Sequence, residues 1–271
     1  MLKKVKEKMI TRNDVYFMEV NSNKIVINNN YKGIIVLNKD LEEIKQVDIF
    51  DRMMIYSCYI NEYAETLLLF CAENECLVYV SLRDYAYKII DLKLNFSDIV
   101  FSPVYLWNLN TLILSTYKGD FYEVDVQEGI ITLISCNVVS EKHSVFYELW
   151  SEATKLNSVS TQSNYFQFIF KDDKGKYCLR DLLNNNTYKI DHVADMAHEI
   201  TFEQDLFAFT SEECISIVQR NIEVDRIEID NACVFLRTRF LKNTTSTRIV
   251  VLNGSKSDNC ENLITVYDIE K

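Results

Sequence analysis

The side chains best suited to binding a metal ion lie in one short segment of the sequence. His192, Asp195 and His198 fall within seven residues, and the chain has three histidines in all. Imidazole nitrogens and carboxylate oxygens are the ligands that zinc and other transition ions bind in proteins. The segment is therefore a candidate site for a divalent metal, and ordinary surface histidines are the alternative interpretation.

A second set of candidate residues consists of carboxylates that recur along the chain. One acid precedes each of six strand-like segments: Asp14, Asp51, Asp98, Glu141, Asp195 and Asp230. Further acids stand in polar turns between strands: Glu73, Glu75, Asp172, Asp173, Glu212 and Glu213. Gathered on one surface, these side chains would attract a basic partner or hold a cation. The alternative is that aspartate favours turns through local hydrogen bonds to the backbone.

Motifs for catalysis are missing from the sequence. There is no serine nucleophile elbow, no phosphate-binding loop and no Rossmann fingerprint. Carboxylates such as Glu148 and Glu199 are candidates for the acid pair of glycoside chemistry. Chance pairs are expected in a chain with 40 Asp and Glu residues, however. The sequence therefore favours a non-catalytic protein without a cofactor.

Composition narrows the class of protein and of partner. The chain has 271 residues, 48% of them hydrophobic, which is enough to bury the core of a single β domain. Its formal net charge of -11 disfavours direct nucleic-acid binding and favours a basic protein partner. No apolar run is long enough for a signal peptide or a membrane span, so we expect a cytoplasmic protein with no membrane contact. The eight cysteines are then expected to be reduced thiols.

Short β-branched and aromatic runs between polar turns predict a chain made almost entirely of strands. The runs group into units of four strands, and the third strand is the easiest to follow. It appears as residues 34–37, 77–80, 121–124, 177–180, 215–218 and 264–267. Three of the five glycines, Gly33, Gly119 and Gly175, fall in the turn before it, where we expect positive φ. Polar insertions are predicted at 151–164 and 253–262.

The two ends of the chain indicate how the units close. The last unit stops after its third strand, whereas residues 2–10 form an isolated strand with the charged character of the other fourth strands. Charge of this kind suits an outer edge, where it discourages pairing with other chains. Placing residues 2–10 beside the last strand completes six units of four strands.

In shape the sequence resembles the β-propeller class, and it is WD40-like in shape only. The Gly-His and Trp-Asp signatures of WD40 repeats are absent, and Val266-Tyr267-Asp268 alone echoes the end of a WD40 third strand. The resemblance implies one domain over residues 1–271. Its blades span approximately 11–50, 51–94, 95–137, 138–193, 194–230, and 231–271 together with 1–10. It also implies that the loop before each first strand and the turn between second and third strands share one face.

Two functions from different classes follow from these observations. The first is a protein-binding propeller whose acidic loop face engages a basic protein, for example an immunity protein that neutralises a toxin, or a scaffold subunit of a larger complex. The second is a metal-dependent hydrolase of small molecules, with His192, Asp195 and His198 at the mouth of the channel.

Overall fold

The computed structural model describes residues 2–11, 13–21, 23–61, 64–95, 98–99, 106–108, 111–116, 118, 120–134, 167–181, 185–190, 197–228, 233–242, 247–255 and 261–270. Within these residues the chain forms twenty-three strands and one 3-10 helix, Ala72–Asn74. The strands are grouped in six antiparallel sheets, each of which is one blade. In this part of the chain no helix has the length and apolarity to cross a bilayer.

The first three blades follow one another along the chain, each running from its innermost to its outermost strand. Blade 1 contains β2 (Met18–Asn21), β3 (Lys24–Asn29), β4 (Gly33–Asn38) and β5 (Glu43–Asp48). Blade 2 contains β6 (Ser57–Asn61), β7 (Thr66–Cys71), β8 (Cys76–Ser81) and β9 (Tyr87–Asp91). Blade 3 contains β10 (Leu106–Asn108), β11 (Thr111–Ser115), β12 (Phe121–Asp125) and β13 (Ile130–Ile134).

The remaining blades keep the same order, with the chain termini meeting in the last one. The three described strands of blade 4 are β14 (Gln167–Lys171), β15 (Tyr177–Asp181) and β16 (Asn186–Ile190). Blade 5 contains β17 (Glu199–Glu203), β18 (Leu206–Thr210), β19 (Cys214–Gln219) and β20 (Ile222–Glu228). Blade 6 contains β21 (Cys233–Lys242), β22 (Thr247–Ser255), β23 (Asn262–Ile269) and β1 (Leu2–Ile10).

Strand composition follows the distance from the centre of the ring. The second strand β7 reads Thr-Leu-Leu-Leu-Phe-Cys and is buried at every position, because neighbouring blades cover both faces of its sheet. The fourth strand β5 reads Glu-Ile-Lys-Gln-Val-Asp and buries only Val47. Charge on such outer strands keeps the blade edges from pairing with other chains.

Hydrophobic clusters join five pairs of neighbouring blades among the described residues. Five clusters are formed by described residues, and each contains buried side chains of two neighbouring blades. Representative members are Val26 and Leu69 for blades 1 and 2, Phe70 and Leu112 for blades 2 and 3, Ile169 and Phe209 for blades 4 and 5, Ile217 and Ile249 for blades 5 and 6, and Val250 and Ile25 for blades 6 and 1. The cluster between blades 6 and 1 joins the last blade to the first, which confirms the six-bladed propeller.

The N-terminal strand closes the ring as predicted. β1 pairs antiparallel with β23, from Leu2 opposite Ile269 to Ile10 opposite Asn262, with one irregularity between Lys4 and Lys6. Ile10 belongs to the cluster between blades 6 and 1, and Leu2 packs against the cluster between blades 5 and 6. One strand therefore supports the blade interfaces on both sides of the closing sheet.

Two local predictions need correction. Gly33 does not have positive φ; it begins β4, where an added Cβ would lie 2.0 Å from the carbonyl oxygen of Val47 on β5. Glycine is required there for close backbone approach, while Gly175 has the expected positive φ of 76° and Gly119 lies outside the described residues. The second predicted insertion is also too long, because 253–255 belong to β22 and Asn262 begins β23.

Removing residues 1–10 should destabilise the whole propeller rather than only its last blade. The truncation exposes the full edge of β23 and removes the buried side chain of Ile10, whose replacement by alanine alone should lower the free energy of unfolding by roughly 2–5 kcal/mol. Urea unfolding followed by circular dichroism measures both changes. Val5→Ala is the matched control on the same strand, because Val5 is 42% exposed and its truncation should change stability by less than about 0.5 kcal/mol. An unchanged midpoint for the truncated chain would show that β1 does not close the ring.

Candidate functional site

The loops that precede first strands meet the turns between second and third strands on one face of blades 1 to 3. In blade 1, the hydroxyl of Tyr31 donates a hydrogen bond to the Asp14 carboxylate at 2.9 Å. In blade 2, the guanidinium of Arg52 lies 3.7 Å from the Glu73 carboxylate. In blade 3, the Lys118 ammonium lies 3.0 Å from the carboxylate of Asp98. These contacts show that loop and turn share a surface in three consecutive blades, which we name the loop face.

Several acids of the two predicted sets are exposed, and their carboxylates have no hydrogen-bond or ion-pair partner among the described residues. Lys118 and Arg52 neutralise Asp98 and Glu73, whereas the carboxylates of five other acids are exposed to solvent. They are Asp51, Glu75, Asp173, Glu212 and Glu213. Asp51 lies in the loop before β6, and the other four lie in the turns between second and third strands of blades 2, 4 and 5.

Asp172 has a local structural role instead. Its carboxylate accepts hydrogen bonds of 2.9 Å from the backbone N–H groups of Lys174 and Lys176. The bond from Lys176 is the largest cause that lowers the pKa of Asp172. The turn is completed by a bond from the Gly175 N–H to the Asp172 carbonyl oxygen. Asp172 therefore shows the turn-forming alternative that the sequence left open.

Part of the predicted site lies outside the described residues. This applies to Glu141, Asp195 and Asp230 of the acidic set, to His192 of the metal set and to Glu148. His198 is described: it is exposed, and its backbone N–H donates to the carbonyl oxygen of Thr210 at 2.9 Å. Among the residues with described positions, no group of three His, Cys, Asp or Glu side chains is arranged to hold a metal ion.

Two tyrosines add exposed aromatic surface to the loop face. Tyr56, which immediately precedes β6, is 62% exposed, and Tyr31 is 41% exposed. The Tyr31 ring stacks on that of Tyr16 with centroids 5.7 Å apart. Tyr16 is itself fixed, because its hydroxyl accepts a hydrogen bond from the Ile55 N–H. Burial raises the pKa of Tyr16 to about 12. The stack and the bond to Asp14 hold Tyr31 in place, so its exposed ring is preorganised.

Neither Tyr31 nor Tyr56 is among the residues that the sequence predicts for the candidate site. The two side chains look like ordinary core aromatics in the sequence, because each stands beside a buried strand. Their exposure depends on the exact register of the neighbouring turn, which the pattern of residue types does not specify.

The first strands of three blades meet in a buried ion-pair network beside the central channel. The Arg239 guanidinium of β21 binds the Glu19 carboxylate of β2 through two hydrogen bonds of 2.7 and 2.6 Å. Its third nitrogen donates to Glu199 of β17 at 2.7 Å, and Arg237 donates to the same oxygen at 3.0 Å. The other Glu199 oxygen accepts the backbone N–H of Thr238 at 2.8 Å. One arginine thus connects blades 5, 6 and 1.

The network provides a hydrogen-bond acceptor for a backbone N–H that has none within its own sheet. β21 is the inner edge strand of blade 6, so an N–H on its free side has no partner in its own sheet. Glu199 supplies the acceptor for Thr238 and is nearly fully buried, with 1% of its side chain exposed. Burial alone would raise the pKa of Glu199, but the attraction of Arg239 and Arg237 lowers it, together with the hydrogen bonds from Arg239 and from the Thr238 N–H. Glu199 is therefore ionised and fully engaged in these contacts, which argues against the role of a proton donor in glycoside chemistry.

Comparisons with known proteins identify no family for the chain. No protein-family model matches the sequence, and no curated protein matches it. Among solved structures, the chain is similar to the β-propeller domain of Myceliophteria thermophila Cps50 (Swd1). The two share 9% sequence identity with a TM-score of 0.45, and the match covers 99% of this chain and 100% of the other. So distant a likeness indicates nothing about function, and the six-bladed architecture is established by the sheet topology.

Replacing Arg239 by methionine should strongly destabilise the protein. The substitution leaves the carboxylates of Glu19 and Glu199 buried without their shared cation, and breaking a buried pair in this way typically lowers stability by roughly 3–5 kcal/mol. Arg237→Met is the matched control: its side chain is 37% exposed, so we expect a loss of at most about 1 kcal/mol. Urea unfolding curves at neutral pH compare the two variants. Equal losses would mean that the network does not depend on the buried arginine.

The lowered pKa of Glu199 also predicts how stability changes with acid. A glutamate whose pKa is depressed in the folded state contributes stability above its unfolded pKa of about 4.3, and this contribution is lost as pH falls through the folded value. Glu199→Gln should therefore be less stable than wild type at pH 7, and the difference should shrink as pH falls below about 4. Unfolding midpoints measured between neutral and acid pH test this. The exposed Glu213→Gln variant is the control and should be about as stable as wild type at pH 7.

Proposed function

We propose that the protein is a non-catalytic, protein-binding propeller whose loop face engages a basic protein partner. The observation that supports this most directly is the composition of that face in blades 1 and 2. The carboxylates of Asp51 and Glu75 there have no hydrogen-bond or ion-pair partner among the described residues. The loop that contains Asp51 also carries the exposed ring of Tyr56, and the turn of blade 1 carries that of Tyr31. The loop-to-turn contacts of Asp14 with Tyr31 and of Arg52 with Glu73 give this surface a defined shape.

Charge and aromatic area have separate roles in such a surface. An acidic excess accelerates the approach of a basic partner and penalises acidic competitors, but exposed ion pairs add little to affinity. Rigid aromatic side chains contribute more of the binding energy once they are desolvated, and tyrosine is enriched among interface hot spots. The loop face has both components, with Tyr31 held by its stack on Tyr16.

The more specific form of the proposal is an inhibitor or immunity protein that neutralises a basic toxin, such as a nuclease. The net charge of -11 supports it, because a basic enzyme that binds nucleic acid presents the complementary surface. A scaffold subunit of a larger complex would use the same face with a partner that has no toxic activity. The identity of the recovered partner separates these two forms.

Charge reversal on the loop face should abolish capture of the partner. The test variant combines Asp51→Lys, Glu75→Lys and Tyr56→Ala, and wild type and variant serve as parallel baits in an extract of the source cells. A control variant changes the net charge equally on the opposite ends of the blades, with Asp40→Lys and Glu128→Lys in turns between third and fourth strands. Quantitative mass spectrometry at low and moderate salt then measures which proteins each bait recovers in stoichiometric amount.

The expected result is one basic protein that wild type and the control variant recover and the loop-face variant loses. Its recovery should decrease as salt increases, because the attraction is between exposed charges. A partner retained by the loop-face variant but lost by the control would place the interface elsewhere. Failure of wild type to recover any stoichiometric partner would contradict the proposal as a whole.

A further inference from the structure

Two cysteines face each other at the end of one hairpin in blade 2. Cys71 is the last residue of β7 and Cys76 the first of β8, and the two are directly opposite in the register of the strands. The 3-10 turn Ala72–Asn74 and Glu75 connect them. Both side chains are buried, 0% and 3% exposed, and both belong to the hydrophobic cluster between blades 1 and 2. Both are free thiols in the structure.

The pattern of backbone hydrogen bonds fixes the geometry of this pair. The Phe70 carbonyl accepts from Tyr56, so the polar groups of Phe70 point towards β6 and those of Cys71 towards β8. The Leu82 N–H donates to the carbonyl oxygen of Glu65 on the side of β8. Glu65 and Cys71 are six residues apart, and residues an even number apart point their backbone polar groups to the same side of a strand. Cys71 and Cys76 therefore form a hydrogen-bonded antiparallel pair, for which Cα atoms are about 5.5 Å apart. A disulfide requires a Cα separation of about 4.4–6.8 Å, which this pair meets, and a Cβ separation of about 3.5–4.5 Å, which is somewhat shorter than hydrogen-bonded pairs have. The bridge therefore needs only a small local approach of the two strand ends beside the turn.

The other described cysteines lack this arrangement. Cys58 lies opposite Leu69, Cys178 opposite Phe170 and Lys189, Cys214 opposite Glu228 and Cys233 opposite Ser255. Among the six cysteines that the structure describes, only Cys71 and Cys76 face each other across adjacent strands.

The two thiols also differ in reactivity. The pKa of Cys76 is lowered, chiefly by a hydrogen bond with the Cys71 side chain, whereas the same bond and burial raise the pKa of Cys71. Because the thiolate is the nucleophile in thiol–disulfide exchange, Cys76 is the residue that reacts first. Burial raises the pKa of the nearby Cys58 thiol, which makes it a poor competitor.

We propose that Cys71 and Cys76 are a redox modification site that forms a reversible disulfide across the β7–β8 hairpin. A small-molecule disulfide such as oxidised glutathione is the oxidant. The Cys76 thiolate attacks one of its sulfur atoms, which releases one glutathione thiolate and leaves a mixed disulfide on Cys76. The Cys71 thiol then loses its proton and attacks the Cys76 sulfur, which releases the second glutathione. The protein loses two protons and two electrons, and one oxidised glutathione takes them up to become two reduced molecules.

The bridge would covalently close the turn that presents Glu73 and Glu75 on the loop face. In the reduced form this turn is fixed by the bond from Glu75 N–H to the Ala72 carbonyl oxygen and by Asn74, which donates to the Arg52 carbonyl oxygen at 3.2 Å. Glu75 holds a left-handed backbone with φ of 50°. Oxidation would restrict the turn further without altering any of its charges. The inference does not rest on the proposed partner and can be tested without one.

The test uses the full-length reduced protein incubated with oxidised glutathione, then quenched with acid, unfolded and alkylated. Intact mass should show a product that has lost two hydrogen atoms, carries no glutathione and takes up two fewer alkyl groups. Digestion with a protease that cleaves after glutamate separates the two cysteines at Glu73 and Glu75. The resulting peptides should then remain joined until a reductant is added.

Variants decide whether the assignment to this pair is correct. Cys58→Ser is the matched control from the same cluster and should form the bridge as wild type does. Cys71→Ser should stop at the glutathione adduct on Cys76, and Cys76→Ser should give no bridge. Should the wild-type protein keep both thiols fully alkylatable after oxidation, or join Cys58 to either of them instead, the proposal is wrong. Because peptide mapping is carried out on the wild-type protein, this outcome does not depend on whether the variants fold.

Discussion

The antiparallel pairing of β1 with β23 is the interaction on which the rest of the propeller depends. Each blade is a sheet that is apolar on both faces, so it is stable only when a neighbour covers each side. A row of such sheets would leave two uncovered faces, and closing it into a ring removes both. The ring closes in blade 6, whose outer strand comes from the opposite end of the chain. Sequence-distant pairing of this kind is entropically expensive, and it is stabilised by the clusters that Ile10 and Leu2 join.

The ion-pair network of Arg239 secures the same region from the inside. β1 binds the outer side of blade 6, whereas Arg239 on the innermost strand binds carboxylates from the blades on either side, Glu19 and Glu199. Buried ion pairs contribute less net stability than their short distances suggest, because both charges must be desolvated. Their geometry is demanding, however, and three strands must be correctly placed before Arg239 has all its partners. We therefore regard the network as a constraint on how blades 5, 6 and 1 align.

Much of the fold could be predicted from the sequence because it depends on local patterns. Strands that are apolar at every position indicate sheets covered on both sides, and charged strands such as Glu43–Asp48 indicate outer edges. The unpaired strand at 2–10 and the incomplete last unit together indicated the closure. Gly33 shows the limit of this reasoning. Its place beside a turn suggests positive φ, but glycine is required there because the backbone of Val47 comes too close for a side chain.

The candidate site could be predicted only in part, since its contacts are non-local. The acids of the loops and turns were recognisable as a repeated feature, and those of blades 1 to 3 lie on one face. The sequence could not distinguish Asp172, which stabilises its own turn, from Asp51, which has no partner among the described residues. Nor could it pair Arg239 with Glu19, which lies 220 positions away. Such partners become neighbours only when the ring closes.

Native-state hydrogen exchange tests the closing role of β1 most directly. If β1 closes the ring, the amides of residues 6–10 and of β23 should exchange through the same global opening as those of β3 and β7. All four strands should then give one common free energy of exchange, equal to that of unfolding. The contradicting result is rapid exchange of β1 as a frayed terminus, by several orders of magnitude, while β3 and β7 keep their full protection.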